Sequence, residues 1–124
     1  MSDRSAELFR QAQKYLPGGV SRNTLLRSPH PHYVAYASGC MTVDVDGVER
    51  VDFANNMASL IHGHAHPPIV EAVTAQLSRG TAFTMATEAE IVFAQHLCRR
   101  SPGFDKVRFV NSGTEAVMAG LKAA

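Results

Sequence analysis

Residues 106–124 constrain the fold more than any other stretch of this chain. Lys106-Val107-Arg108-Phe109-Val110 reads as a short strand, Asn111-Ser112-Gly113-Thr114 as a tight turn, and Gly113 to Ala124 as a helix. A strand that feeds directly into a helix is the building unit of α/β proteins, whose parallel sheets bury both faces and cannot stand as a single strand. Leu121-Lys122-Ala123-Ala124 are good helix formers with no Gly, Asn or Pro behind them, so this helix carries no stop signal. The expectation is the N-terminal part of a longer α/β protein.

The size agrees with that expectation, because 124 residues make one domain or less. Lys and Arg number 12 against 11 Asp and Glu, a net charge of +1, and 45% of the residues are hydrophobic. Such a balance disfavours intrinsic disorder and supplies no basic stripe for a nucleic acid. Cys40 and Cys98 sit in no metal-ligand spacing, which fits a reducing, cytoplasmic setting. Acids at Asp3 and Glu7 interrupt the N-terminus, so it does not read as a signal or transit peptide, and no apolar run is long enough to span a bilayer.

Along the chain, Leu8, Phe9, Ala12 and Leu16 fall at helical spacing over residues 3–16, with Ser2 or Asp3 as cap and Pro17-Gly18-Gly19 as stop. Residues 20–31 read as an irregular surface loop. Met41, Val43 and Val45 alternate with Thr42 and Asp44, and Val51 and Phe53 alternate with Arg50 and Asp52 across Asp46-Gly47, the pattern of a β-hairpin. Tyr33 to Tyr36 adds a third antiparallel strand. A helix is expected from Pro67 to Arg79, with Ile69, Val70, Val73 and Leu77 on one face and Gly80 closing it. Another runs from Glu88 to Arg100, capped by Thr87, with Ile91, Ala94 and Leu97 turned inward.

Three segments carry possible chemistry. Ser112-Gly113-Thr114 opens a helix, where free N–H groups, the positive end of the helix dipole and two hydroxyls suit a phosphate dianion. Ser112 and Glu115 also have capping-box spacing, so plain helix capping accounts for the same residues. His62, His64 and His66 alternate and could share a metal on an extended strand, but Gly63 and Pro67 interrupt them and no thiol or carboxylate stands nearby in sequence. Turn and helix-start roles suit these histidines better, and no metal is expected. Asp44, Asp46 and Gly47 superficially match a calcium loop without its further acidic ligands. Met57, Met85 and Met118 read as packing or pocket-lining residues, and neither cysteine has a partner that would activate it.

Four stretches in order, Pro17-Gly18-Gly19-Val20-Ser21, Asp44-Val45-Asp46-Gly47, Gly63-His64-Ala65-His66-Pro67 and Val107 through Ala116, run through nearly the whole chain. In these the chain resembles the N-terminal part of the class III aminotransferases, pyridoxal-phosphate enzymes of fold type I, and within them the glutamate-1-semialdehyde 2,1-aminomutases. The resemblance implies an N-terminal helix and small antiparallel sheet over residues 1–65, then the start of a large α/β cofactor domain over 66–124. It implies that Ser112, Gly113 and Thr114 meet the phosphate of pyridoxal 5′-phosphate and that Met57 lines the substrate pocket. It further implies a homodimer acting on a small amino donor or acceptor, with no nucleic acid or membrane partner.

Two departures leave another amino-acid or amine substrate open: Leu25 aligns with the aminomutase's carboxylate-binding arginine, and Met57 with its pocket tryptophan. No catalytic residue is assigned. The family's Schiff-base lysine comes from later sequence, and Lys14, Lys106 and Lys122 lie in other contexts. Lys106 stands roughly 16 Å from the phosphate turn at strand rise, and Lys122 about 12 Å down the helix. The chain is therefore expected to be inactive alone. The alternatives are a non-catalytic fragment that folds against a partner and, at the margin, a His-rich metal-binding protein.

Overall fold

The computed structural model describes residues 3–124, in two units, one running through Arg79 and the other from Gly80 to Ala124. In the first unit, α1 (Arg4–Ala12) starts at Asp3, whose Oδ1 accepts from the Ala6 N–H at 2.8 Å. Asp3 is thus the cap; Ser2, the other expected cap, lies outside the described residues. The helix is shorter than its apolar spacing predicts, but single turns continue it to Leu16, whose N–H bonds the Ala12 carbonyl at 2.8 Å. The chain then reverses at Gly19, at φ +75°, where a Cβ would lie 2.5 Å from the Phe9 ring. Only glycine meets both demands.

Strands β1 (Val34–Ser38), β2 (Met41–Asp44) and β3 (Glu49–Val51) form an antiparallel sheet in sequence order. Thr42 faces Arg50 in one ladder and Ala37 in the other. The hairpin is the expected one, except that β3 ends at Val51, leaving Phe53 beyond it, and β2 stops at Asp44, with Val45 in the turn. The cause is Asp44 itself, 5% exposed, whose Oδ1 accepts from the N–H groups of Asp46 at 3.0 Å and Val48 at 2.8 Å. Its Oδ2 pairs with Arg50. The calcium-like acids are therefore engaged by protein donors. Asp46 reaches back to α1, accepting from Arg4 N–H at 2.6 Å, Ser5 N–H at 3.0 Å and Ser5 Oγ at 2.6 Å.

Beyond the sheet, α2 (Asn55–Ala58) is a single turn wound left-handed, and α3 (Pro67–Leu77) follows with Pro67 in its first turn. The second unit holds α4 (Glu88–Arg100) and α5 (Gly113–Ala123). Thr87 stands at the cap position of α4 but makes no side-chain capping bond. Two expectations are corrected. Residues 106–110 form no ladder, because a strand exists only when paired and no described residue pairs with them. Phe109 instead stacks on Phe93 of α4, ring centroids 5.3 Å apart.

The α4 residues expected inward are not, and the α3 face is exposed as well. Ile91 is 57% exposed, Ala94 and Leu97 are half-buried, and Ile69, Val73 and Leu77 are at least half exposed. Among the described residues no large apolar side chain is buried. No helix among the described residues is long and apolar enough to cross a membrane.

The seating of α1 depends on two groups that titrate in opposite senses. Asp46 is held below its ordinary 3.8 chiefly by the Ser5 hydroxyl, so its contribution is present above about that pH and lost as pH falls through the folded value. His30 is raised above 6.5 by its bond to the Pro31 carbonyl and then by Asp3, whose Oδ2 lies 3.0 Å away. Its contribution is complete below 6.5 and fades as pH rises through the folded value. Amide exchange corrected for its intrinsic rate should therefore show the Arg4 and Ser5 N–H groups best protected between these limits. Asp46→Ala should speed their exchange about tenfold or more, the scale of losing hydrogen bonds to a charged acceptor.

Candidate functional site

The first candidate is the N-terminus of α5. Ser112 has extended backbone and its Oγ accepts from the Glu115 N–H at 3.2 Å, while Glu115 Oε2 accepts from the Asn111 N–H at 2.7 Å. This is a variant of the capping box, in which the N3 glutamate reaches the residue before the cap rather than the cap itself. It leaves the N–H groups of Ser112, Gly113 and Thr114 with no acceptor among the described residues, together with the Thr114 hydroxyl and the proton of the Ser112 hydroxyl. All three residues are exposed.

Gly113 tests the fit to a phosphate. Its φ is not in the left-handed region, and a Cβ there would meet nothing within 4 Å. Neither backbone conformation nor packing inside this chain accounts for glycine, whereas close approach of an outside group to two free N–H donors does. The residues fit a phosphate ester. A groove of 380 Å³ opens beside this turn, lined by Arg108, Asn111, Glu115, Met118 and Lys122 among others.

The second candidate lies in the other unit and centres on Met57. Asn55, Asn56, Met57 and Ala58 all have φ between +45° and +60°. Two bonds close the turn, Ala58 N–H to the Ala54 carbonyl at 3.0 Å and Ser59 N–H to the Asn55 carbonyl at 3.1 Å. Asparagine tolerates this region, but Met57 and Ala58 are each about 1–2 kcal/mol less stable there than in a right-handed turn. Met57 is 74% exposed at the tip.

Side chains hold the turn on both sides. Asn55 Nδ2 donates to the Leu60 carbonyl at 2.5 Å, and Asn56 Nδ2 donates to Ser59 Oγ at 3.0 Å. Below it, Asp52 Oδ1 accepts from the Ala54 and Asn55 N–H groups, both at 2.9 Å, and Asp52 Oδ2 lies 2.7 Å from His64 Nε2. The His64 hydrogen bond comes first and the Asn55 amide second in holding the Asp52 carboxyl below its ordinary value. His64 is also bridged to Gly39 through both backbone groups, at 2.8 and 2.9 Å. That approach leaves no room for a Cβ at Gly63, where one would lie 2.6 Å from the Gly39 carbonyl oxygen.

The three alternate histidines do not converge. His64 faces Asp52, while His62 and His66 stack at 4.7 Å. Among the described residues no three His, Cys, Asp or Glu side chains could share a metal ion. The Asp52–His64 pair was not foreseen from sequence. The one signal was the Asn55-Asn56 doublet, since asparagine is the non-glycine residue most at home at positive φ.

Comparisons with known proteins agree over nearly the whole chain. The family profile of class-III aminotransferases matches residues 26–124. The glutamate-1-semialdehyde 2,1-aminomutase of Methanothermobacter thermautotrophicus is 47% identical over 121 residues, 98% of this chain and 29% of that protein. An omega-transaminase from Sphaerobacter thermophilus superposes with a TM-score of 0.92 at 53% identity, covering 96% of this chain and 27% of that one. A transaminase with PLP bound gives a TM-score of 0.94 at 49% identity, covering 99% and 29%. The chain thus spans about 29% of the length of the curated relatives it matches.

If the left-handed turn is strained as its torsions indicate, Ala58→Gly should stabilise the protein by about 0.5–1 kcal/mol, the relief at positive φ exceeding the entropy that glycine adds to the unfolded chain. The midpoint of denaturant unfolding measures this, and a lower midpoint would contradict it.

Proposed function

Because this chain belongs to the class III aminotransferase family, we propose that it forms the phosphate-holding part of a pyridoxal 5′-phosphate enzyme that moves an amino group on or off a small amino acid, amine or amino-aldehyde. The observation that carries this reading is the pair of unengaged N–H donors at Gly113 and Thr114, set at the positive end of an 11-residue helix. When bound, the cofactor supplies the electron sink for amino-group chemistry. The chain's own residues bind and orient it. The Gly113 and Thr114 N–H groups and the Ser112 and Thr114 hydroxyls donate to the phosphate, and the helix dipole favours its charge.

Met57 then lines the substrate pocket. Its unbranched thioether replaces a flat aromatic wall with an adaptable one, which supports a substrate other than that of the aminomutases. The identities to the two transaminases, 53% and 49%, are no lower than the 47% to the aminomutase, and they support transamination at least as well as an internal amino shift. The homodimer belongs to this same proposal.

Lys14, Lys106 and Lys122 are the chain's lysines. Lys122 lines the groove beside the turn near the far end of α5, a placement that suits packing rather than covalent attachment of the cofactor aldehyde. The chain by itself is therefore proposed to bind without turning over. A second reading, a segment that folds against a partner, is favoured by the exposure of Ile69, Val73, Leu77 and Ile91. A cooperatively melting monomer in sedimentation and calorimetry would remove it.

Binding is tested by titrating the purified chain with pyridoxal phosphate and, separately, inorganic phosphate while following the Gly113 and Thr114 amide signals. Both should shift and saturate, and Gly113→Val should weaken binding at least about tenfold by closing the approach to the two donors. Saturable binding undiminished in Gly113→Val would place the phosphate elsewhere. Borohydride reduction in the presence of the cofactor should label none of Lys14, Lys106 and Lys122, and a single labelled lysine would end the claim that the chain does no chemistry alone.

A further inference from the structure

We propose that Asp52 and His64 are positioning residues that lock the left-handed Asn55–Ala58 turn and thereby hold Met57 where it selects the substrate. The selection step rests on the reading of Met57 given above; the lock itself does not.

Four observations meet at Asp52. Its N–H extends the β2–β3 ladder by bonding the Cys40 carbonyl at 2.8 Å, so its backbone is fixed to the sheet. One carboxylate oxygen takes the two N–H groups that begin the turn, at 2.9 Å each. The other takes His64, beyond the end of the turn, at 2.7 Å. His64 is in turn pinned to Gly39 through its own N–H and carbonyl. One carboxylate therefore ties the start and the end of the loop to the same sheet edge.

That closure matters because the turn is not a conformation Met57 and Ala58 choose unaided. Residues held at positive φ persist only where their surroundings over-determine them, and such strain concentrates where a side chain must be presented in one orientation. Among the described residues the Met57 side chain makes no polar or ring contact and is 74% exposed, so its placement comes from the backbone beneath it. The chemistry that recognises the substrate side chain at this point is apolar and adaptable. His64 thereby acquires a role that neither a metal site nor a generic turn supplies.

Two arms test the lock and its purpose separately. In isotopically labelled protein, amide-to-Hα couplings and Cα/Cβ shifts report positive φ at Asn56, Met57 and Ala58. Asp52→Ala and His64→Ala should abolish that signature while the Thr42 and Tyr36 amides keep their positions, and His64→Gln, whose amide can still donate to Asp52, should restore it. Should Asp52→Ala fail to fold, His64→Ala carries the same readout with the Ala54 and Asn55 bonds left in place. A signature unchanged in His64→Ala, or one not rescued by glutamine, overturns the lock.

In a cofactor-loaded enzyme that joins this chain to sequence supplying the Schiff-base lysine it lacks, His64→Ala and Met57→Ala should each raise the amino-donor KM about tenfold with kcat changed much less, the pattern of lost ground-state binding, and His64→Gln should stay near wild type. If both KM values are unchanged while the torsional signature is lost, the selection role fails together with the substrate reading of Met57, and only the conformational lock stands.

Discussion

Three carboxylates from one hairpin organise the first unit of this protein. Asp44 shapes the turn between β2 and β3, Asp46 seats the first turn of α1, and Asp52 gathers the two ends of the loop that carries Met57. Each is held below its ordinary pKa by hydrogen bonds donated to it, so each is most stabilising when ionised. Elsewhere such groups decorate a core that already exists. Here no large apolar side chain is buried among the described residues, and the order of the hairpin and its attachments comes from charge-assisted hydrogen bonds. Those bonds are directional, which is why this unit can hold a left-handed turn that non-specific apolar packing would not dictate.

Among the described residues the second unit shows no comparable carboxylate network. Its ties include the Phe93–Phe109 stack and the Ser112–Glu115 cap of α5, and the apolar stripe of α4 is largely exposed. Helices with uncovered stripes gain little from burial, which is the term that normally outweighs chain entropy. The contrast assigns different kinds of work to the two units. The first holds a left-handed turn in a polar frame; the second combines the free N–H groups at the start of α5 with an exposed apolar stripe on α4.

What the sequence disclosed follows from how local each determinant is. The Asp46-Gly47 hairpin, the α3 and α4 spans and the Ser112 cap were legible because turn chemistry, prolines and 3.6-residue spacing act over a few residues. The ladder expected at 106–110 did not form because pairing depends on a partner strand, which no local pattern can supply. The inward placement expected for Ile91, Ala94 and Leu97 of α4 failed for the same reason. At the Met57 site, the candidate residue was visible through family resemblance, but its setting was not. Asp52 and His64 are twelve positions apart, and the alternate histidines read as turn or helix-start residues with backbone bonds, a pattern that does not say which of them meets a carboxylate.

The start of α5 shows why capping and ligand binding are not rival explanations of one motif. A helix terminus has several orphan N–H groups, and a capping box engages only some of them. Ser112 and Glu115 satisfy Glu115 and Asn111, which fixes the turn without outside help. Gly113 and Thr114 keep their donors, and the glycine keeps the approach open. A terminus with every donor internally satisfied would be rigid and inert; one with none satisfied would fray. Dividing the donors in this way leaves the same four residues formed while the Gly113 and Thr114 N–H groups stay open to an outside acceptor.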